Sequence, residues 1–204
     1  MSHNEGLNRL AVLTGVPGVG KGYLVDQAKK RGELPPGLRV TSGGSELLEY
    51  FVSKYAGIRT LTRDDIKYFT QGEMDEAFDG IIGNVLSKTP ALFDAHVVTH
   101  REGNILASQE HSHLKLRSER FLHVCADPIV IFERRQADTS RNRVQEIVSD
   151  IDRHQTMSLD VTRRVAGTLG ADMVELWNNN DREMVEKNLI IIRGELAKLM
   201  RRND

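Results

Sequence analysis

Cysteine is nearly absent: Cys125 stands alone in 204 residues, so no internal disulfide can form and no thiolate cluster can hold a metal. This fits a reducing compartment, and the expected location is the cytoplasm. Net charge is also missing, because 28 Lys and Arg face 29 Asp and Glu. Without a global positive field the chain is not expected to be a dedicated nucleic-acid binder, although a local arginine cluster can still grip single phosphates. No apolar run approaches the roughly 20 residues that span a bilayer. Polar Met1–Asn8 leads into an apolar run of only about six residues, too short for a signal-peptide core, so no membrane partner is expected. No Ser-His-Asp order or pair of catalytic carboxylates stands out. What remains is an ordinary globular composition, 39% apolar and 28% charged, at a length that suits one domain over residues 1–204. Nothing in it sets an oligomeric state.

Hydrophobic periodicity then organises the chain. Leu10–Thr14 is short, nearly continuous and apolar, the pattern of a strand buried on both faces, and it ends in a glycine cluster. Gly22 to Arg31 carries Leu24, Val25 and Ala28 at helical spacing and closes on basic residues that suit the end of a helix dipole. Leu38–Thr41 reads as a second strand and Ser45 as the start of a helix. Residues 63–88 hold a helical period, with Gly72 as a junction, before Pro90 and a third strand at Ala91–Phe93. Residues 97–118 are polar and read as a surface excursion with no core. A fourth strand at Phe121–Ala126, a helix begun by Pro128, a long amphipathic helix near 147–165, a fifth strand at Met173–Trp177 and a last helix from Asp181 complete the order. Asn180 and Glu183 have capping-box spacing for that last helix. Strands alternating with helices predict a parallel sheet with right-handed crossovers, covered on both sides: a three-layer α/β/α fold.

The strongest motif is Gly15-Val16-Pro17-Gly18-Val19-Gly20-Lys21-Gly22, a G-x-x-x-x-G-K sequence between a strand and a helix. Glycines let the backbone curl around a polyphosphate with its N–H groups inward, the helix N-terminus adds positive potential, and Lys21 supplies a mobile charge for the β- and γ-phosphates. These residues and Tyr23 form the expected ATP site. Gly22 takes the place of the usual Ser or Thr that coordinates Mg²⁺, so the metal is expected to be held through phosphates and water.

Other residues offer two readings each. Arg134, Arg135, Arg141 and Arg143 are either a solvated helix face or a cluster that neutralises a transferring phosphoryl group, with Arg141 and Arg135 as the candidates for contact. Asp138 is placed to orient them. Asp94, at the carboxyl end of strand 3, can hold Mg²⁺ through water, position an acceptor or cap a helix. His96 can donate to an acceptor phosphate or serve structure alone. Ser42-Gly43-Gly44-Ser45 can cap the following helix, the simpler reading, or offer N–H groups to an acceptor phosphate. Asn178, in Asn178-Asn179-Asn180, can meet the adenine edge or form a turn. His111 and His113 lack a third metal ligand and read as a solvated loop.

The segment Gly15-x-Pro17-Gly18-x-Gly20-Lys21-Gly22 resembles adenylate kinases and related nucleoside monophosphate kinases, in which glycine commonly follows the lysine. With Asp94-Ala95-His96 and Arg134-Arg135-x-x-Asp138-x-x-Arg141-Asn142-Arg143, the order and spacing are similar to those of archaeal-type adenylate kinase. Two features depart from it: Tyr23 stands where threonine is usual, and residues 97–118 carry Arg101, His111 and His113. The resemblance implies a five-stranded parallel sheet, an acceptor-binding region at about 42–88, a short arginine-rich lid at about 137–145, and ATP with Mg²⁺ as donor and metal. Arg63 resembles an acceptor-phosphate ligand by its position. The expected activity is transfer of the ATP γ-phosphoryl group to a nucleoside monophosphate, AMP favoured. The alternatives are a kinase of another small metabolite, such as a nucleoside or sugar, and an ATP-binding regulatory module with little turnover.

Overall fold

The structure, a computed structural model, describes residues 6–101, 105–139 and 146–201. In chain order its elements are β1 (Asn8–Thr14), α1 (Lys21–Lys30), β2 (Arg39–Ser42), α2 (Gly43–Lys54), a 3₁₀ turn (Arg63–Tyr68), α3 (Gln71–Ser87), β3 (Ala91–Asp94), β4 (Val98–Arg101) and β5 (Ile105–Ser108). Then follow α4 (Glu110–Leu116), β6 (Ser118–Cys125), α5 (Pro128–Ala137), α6 (Val148–Leu169), β7 (Asp172–Trp177) and α7 (Arg182–Met200). Five strands pair in the order β2-β3-β1-β6-β7, and every pairing is parallel.

Strand alternation sends Ala11 and Leu13 of β1 into one apolar layer and Leu10 and Val12 into the other. The first layer joins Leu24 of α1 to Leu189, Ile192 and Leu196 of α7; the second joins Val85 of α3 to Val161 and Val165 of α6. This is the three-layer α/β/α arrangement expected, with β1 at its centre because its residues are apolar on both faces. A smaller cluster joins α2 to α3, where the Phe51 and Phe69 rings stack with centroids 3.8 Å apart. Full burial of a side chain such as Phe51 contributes about 1.5–3 kcal/mol. Among the described residues no helix is long and apolar enough to cross a membrane.

Five local expectations are corrected. Residues 97–118 are not a coreless polar excursion: they form the antiparallel β4–β5 pair and α4, and Val97, Val98 and Leu116 join the second core layer. Their apolar residues are too few and too short in run to show a period, and burial comes from contact with α6 and α3. His113 accordingly lies fully buried on α4, not in a solvated loop, while His111 is exposed. The junction before α3 is at Thr70, not Gly72, and a capping box between Thr70 and Glu73 fixes it. The last helix is capped by Asp181, whose side chain accepts the Glu183 N–H, whereas Asn180 takes a left-handed φ of 53° and turns elsewhere. Helix α2 begins at Gly43 rather than Ser45, and Ser42 at its N-cap position makes no side-chain cap.

Candidate active site: the phosphate loop and its two cavities

The loop between β1 and α1 projects from the carboxyl end of the sheet. Gly15 and Gly20 hold φ values of 131° and 92°, a region that L side chains rarely occupy. A Cβ at Gly15 would run into the Val124 carbonyl oxygen, and one at Gly20 into the Asn178 amide nitrogen, so glycine is required at both positions by space as well as by dihedral. Gly22 is different: a Cβ there meets nothing within 4 Å. Packing therefore does not exclude the usual hydroxyl residue.

The carbonyl groups of the loop are held from outside. Arg134 donates to the carbonyls of Gly18 (3.3 Å), Val19 (3.1 Å) and Asn178 (2.8 Å), and to Asn180 Oδ1 (2.7 and 3.0 Å). Arg135 donates twice to the Pro17 carbonyl, at 2.7 and 2.9 Å, and pairs with Glu146. Asn178, buried, donates to the Val19 carbonyl at 2.7 Å. In a planar trans peptide the C=O and N–H point opposite ways, so fixing the Pro17 and Val19 oxygens outward aims the Gly18 and Gly20 N–H groups inward, while the Val19 N–H donates to the Val16 carbonyl at 3.4 Å. The two arginines of α5 also bring positive charge beside a loop suited to an anion. Burial lowers the pKa of Arg134, yet a guanidinium stays charged.

Lys21 at the start of α1 is buried, with its Nζ 2.8 Å from the Gly15 carbonyl and 3.8 Å from Asp94 Oδ1. His96 Nδ1 lies 2.8 Å from the same Gly15 carbonyl and 3.4 Å from Lys21 Nζ. Burial, then the Lys21 charge, hold His96 well below the usual histidine range, so the ring is neutral. Cys125 is pushed up to about 12 by burial and is no nucleophile.

Two cavities flank the loop. One, of about 680 Å³, is lined by Gly20, Tyr23, Arg134, Asn178 and Asn180. The other, of about 260 Å³, has an apolar floor that includes Leu47, Met74 and Phe78, with Pro17, Arg63, His96 and Arg135 among its polar and loop-side walls. Arg63 and His96 thus line one cavity. Ser42 and Asp94 do not line it; they open with Gly22 on an adjoining polar groove. Ser42 Oγ, instead of capping α2, accepts a hydrogen bond from Arg63 at 3.1 Å. No helix follows Asp94, which rules out its capping role. Arg141, Arg143 and most of the expected lid lie outside the described residues. Among the described residues no cluster of three His, Cys, Asp or Glu side chains can hold a metal. Sequence reading missed Arg134 as a clamp on the loop and Glu146 as the partner of Arg135, because both act through folded contacts more than ten residues away or across elements.

Residues 14–152 match the family model described as an AAA domain. Among solved structures, shikimate kinase from Acinetobacter baumannii in complex with shikimate aligns at TM-score 0.51 and 12% identity, over 95% of this chain and 96% of that one. Shikimate kinase from Bacteroides thetaiotaomicron aligns at TM-score 0.51 and 13% identity, over 92% and 98%. TT1252 from Thermus thermophilus aligns at TM-score 0.51 and 13% identity, over 93% and 98%. At such identities the likeness is one of fold, that of the P-loop kinases. No curated protein sequence matches the chain.

Proposed function

The chain belongs to the AAA domain family, and from that premise we propose that it transfers the γ-phosphoryl group of ATP to a small acceptor, a nucleoside monophosphate. One observation carries the reading: the phosphate loop and the apolar cavity share a wall made of Pro17, His96 and Arg135, so a donor phosphate on the loop and an acceptor in the cavity would meet there.

The Gly18 and Gly20 N–H groups, which follow the held Pro17 and Val19 carbonyls, bind the polyphosphate, and Lys21 leaves the Gly15 carbonyl to hold the β- and γ-phosphates. Tyr23 and Asn178 border the nucleoside side. Arg63, exposed at the cavity mouth, takes the acceptor phosphate, and Arg135 with Arg141 neutralises the oxygens of the transferring group. Asp94, partly exposed beside Lys21, fits a Mg²⁺ held through water, with no hydroxyl ligand at Gly22. When bound, that metal neutralises phosphate charge. Closure of the arginine segment excludes water and so limits wasteful hydrolysis.

A second acceptor class, a small hydroxyl metabolite, is favoured by the size and apolar floor of the cavity, and the shikimate-bound neighbour shares the fold. A coupled assay of ADP formation across nucleoside monophosphates and small alcohols separates the two. Acceleration by a nucleoside monophosphate is expected; acceleration only by an alcohol selects the second class, and tight ATP binding with no acceptor-dependent turnover selects a regulatory module. Arg141→Ala is expected to lower turnover far more than ATP affinity, as single-turnover kinetics would show.

A further inference from the structure

His96 lines the acceptor cavity, which suggests a ligand for the acceptor, but its hydrogen bonds point elsewhere. A carbonyl oxygen only accepts, so the 2.8 Å contact between His96 Nδ1 and Gly15 O requires the proton on Nδ1. The opposite tautomer would set a nitrogen lone pair against the carbonyl oxygen. Gly15 O therefore accepts two donors at once, His96 Nδ1–H and the Lys21 ammonium, each at 2.8 Å. A bound triphosphate withdraws one of them, because Lys21 must turn to the phosphates. His96 is in turn held by its own carbonyl, which accepts from Nε2 of His113 at 3.2 Å. His113 is buried on α4, within the β4–β5–α4 excursion.

We propose that His96 is a positioning residue for the phosphate loop: it keeps the Gly15 carbonyl bonded after Lys21 moves to ATP, and the excursion carrying His113 braces it there. The excursion thereby gains a task, support of the donor site from the acceptor side. The inference rests on the reading of residues 15–22 as an ATP site.

Calorimetric titration of the full chain with ATP and Mg²⁺ tests it, comparing wild type with His96→Ala, His96→Asn and His96→Gln. An asparagine amide N–H stands near the place of Nδ1, and a glutamine amide near that of Nε2. His96→Ala is expected to bind ATP about tenfold more weakly, the cost of one hydrogen bond to a buried carbonyl. His96→Asn should recover most of the affinity, and His96→Gln should not. Wild-type affinity in the Ala variant, or rescue by Gln and not Asn, would overturn the proposal; the second pattern assigns the side chain to the acceptor instead. If the Ala variant does not fold, the Asn and Gln pair decides alone. Absence of ATP binding by wild type would overturn the ATP site itself, a result distinct from an altered order among variants.

Discussion

The two sides of the proposed site, donor and acceptor, are built by different means. On the donor side the surface is largely main chain, and in this structure Arg134, Arg135, Asn178, Lys21 and His96 donate to the carbonyl oxygens of Gly15 and of residues 17–19. On the acceptor side the surface is mostly side chain, drawn from α2, the 3₁₀ turn, α3 and the β4 region. A loop so over-determined can bind only what its amides dictate. A cavity lined by side chains can change its ligand through a few substitutions, and this is why the donor is readable and the acceptor is open to two classes.

The sharpest break in this comparison is Lys21→Met. Losing the charge at the transferring group should lower turnover by about 10²–10³, as steady-state assay with saturating acceptor would register; near-normal turnover would remove Lys21 from the chemistry. Next comes a crossed pair of variants. Arg134→Ala removes the donors to the Gly18 and Asn178 carbonyls and one of two at Val19, and should weaken ATP binding by about tenfold with little change in acceptor KM. Arg63→Ala should do the reverse, raising acceptor KM about tenfold at unchanged ATP affinity. If both variants shift both parameters equally, the two sides are not separable as described.

Acidification should expose a difference in burial. His113, in the excursion, is lowered to about 4 and His123, in the sheet, to about 3, both through burial. Each is neutral in the folded state, while the unfolded chain takes up a proton below about pH 6.5. The stabilisation is complete above that value and lost as pH falls towards the folded values, at up to about 1.4 kcal/mol per pH unit for each histidine. Denaturant titrations at falling pH would reveal the slope, and a flat profile from pH 6.5 to about 4 would contradict it. The smallest effect is expected from Gly22→Ser. The open space at its Cβ predicts unchanged or slightly raised stability, by up to about 1 kcal/mol, with a lower Mg²⁺ requirement if the new hydroxyl reaches the metal.

Much of this could be read before folding was considered. The phosphate loop was legible because its constraints are local: glycine where no Cβ fits, lysine next in line, an apolar strand before and a helix after. Strands β1, β3 and β6 were legible as short apolar runs, whereas β2, with Val40 as its one apolar residue, shows no such run. The excursion at 97–118 was not, since its few apolar residues have no period of their own and are buried through packing against α3, α6 and the 3₁₀ turn. The same holds for Arg134, which by spacing alone is one of four equivalent arginines. Its role depends on the turn after β7, more than forty residues away.

By itself, then, the sequence determined the parallel α/β plan and the place of the glycine-rich turn between β1 and α1, since hydrophobic period and backbone dihedral preference act between near neighbours. Only the tertiary structure decided which side chains hold the loop carbonyls, that His96 bonds the Gly15 carbonyl while lining the second cavity, and which elements enclose that cavity. Those outcomes are set by contacts between segments distant in the chain, and their geometry exists only once the sheet has brought the segments together.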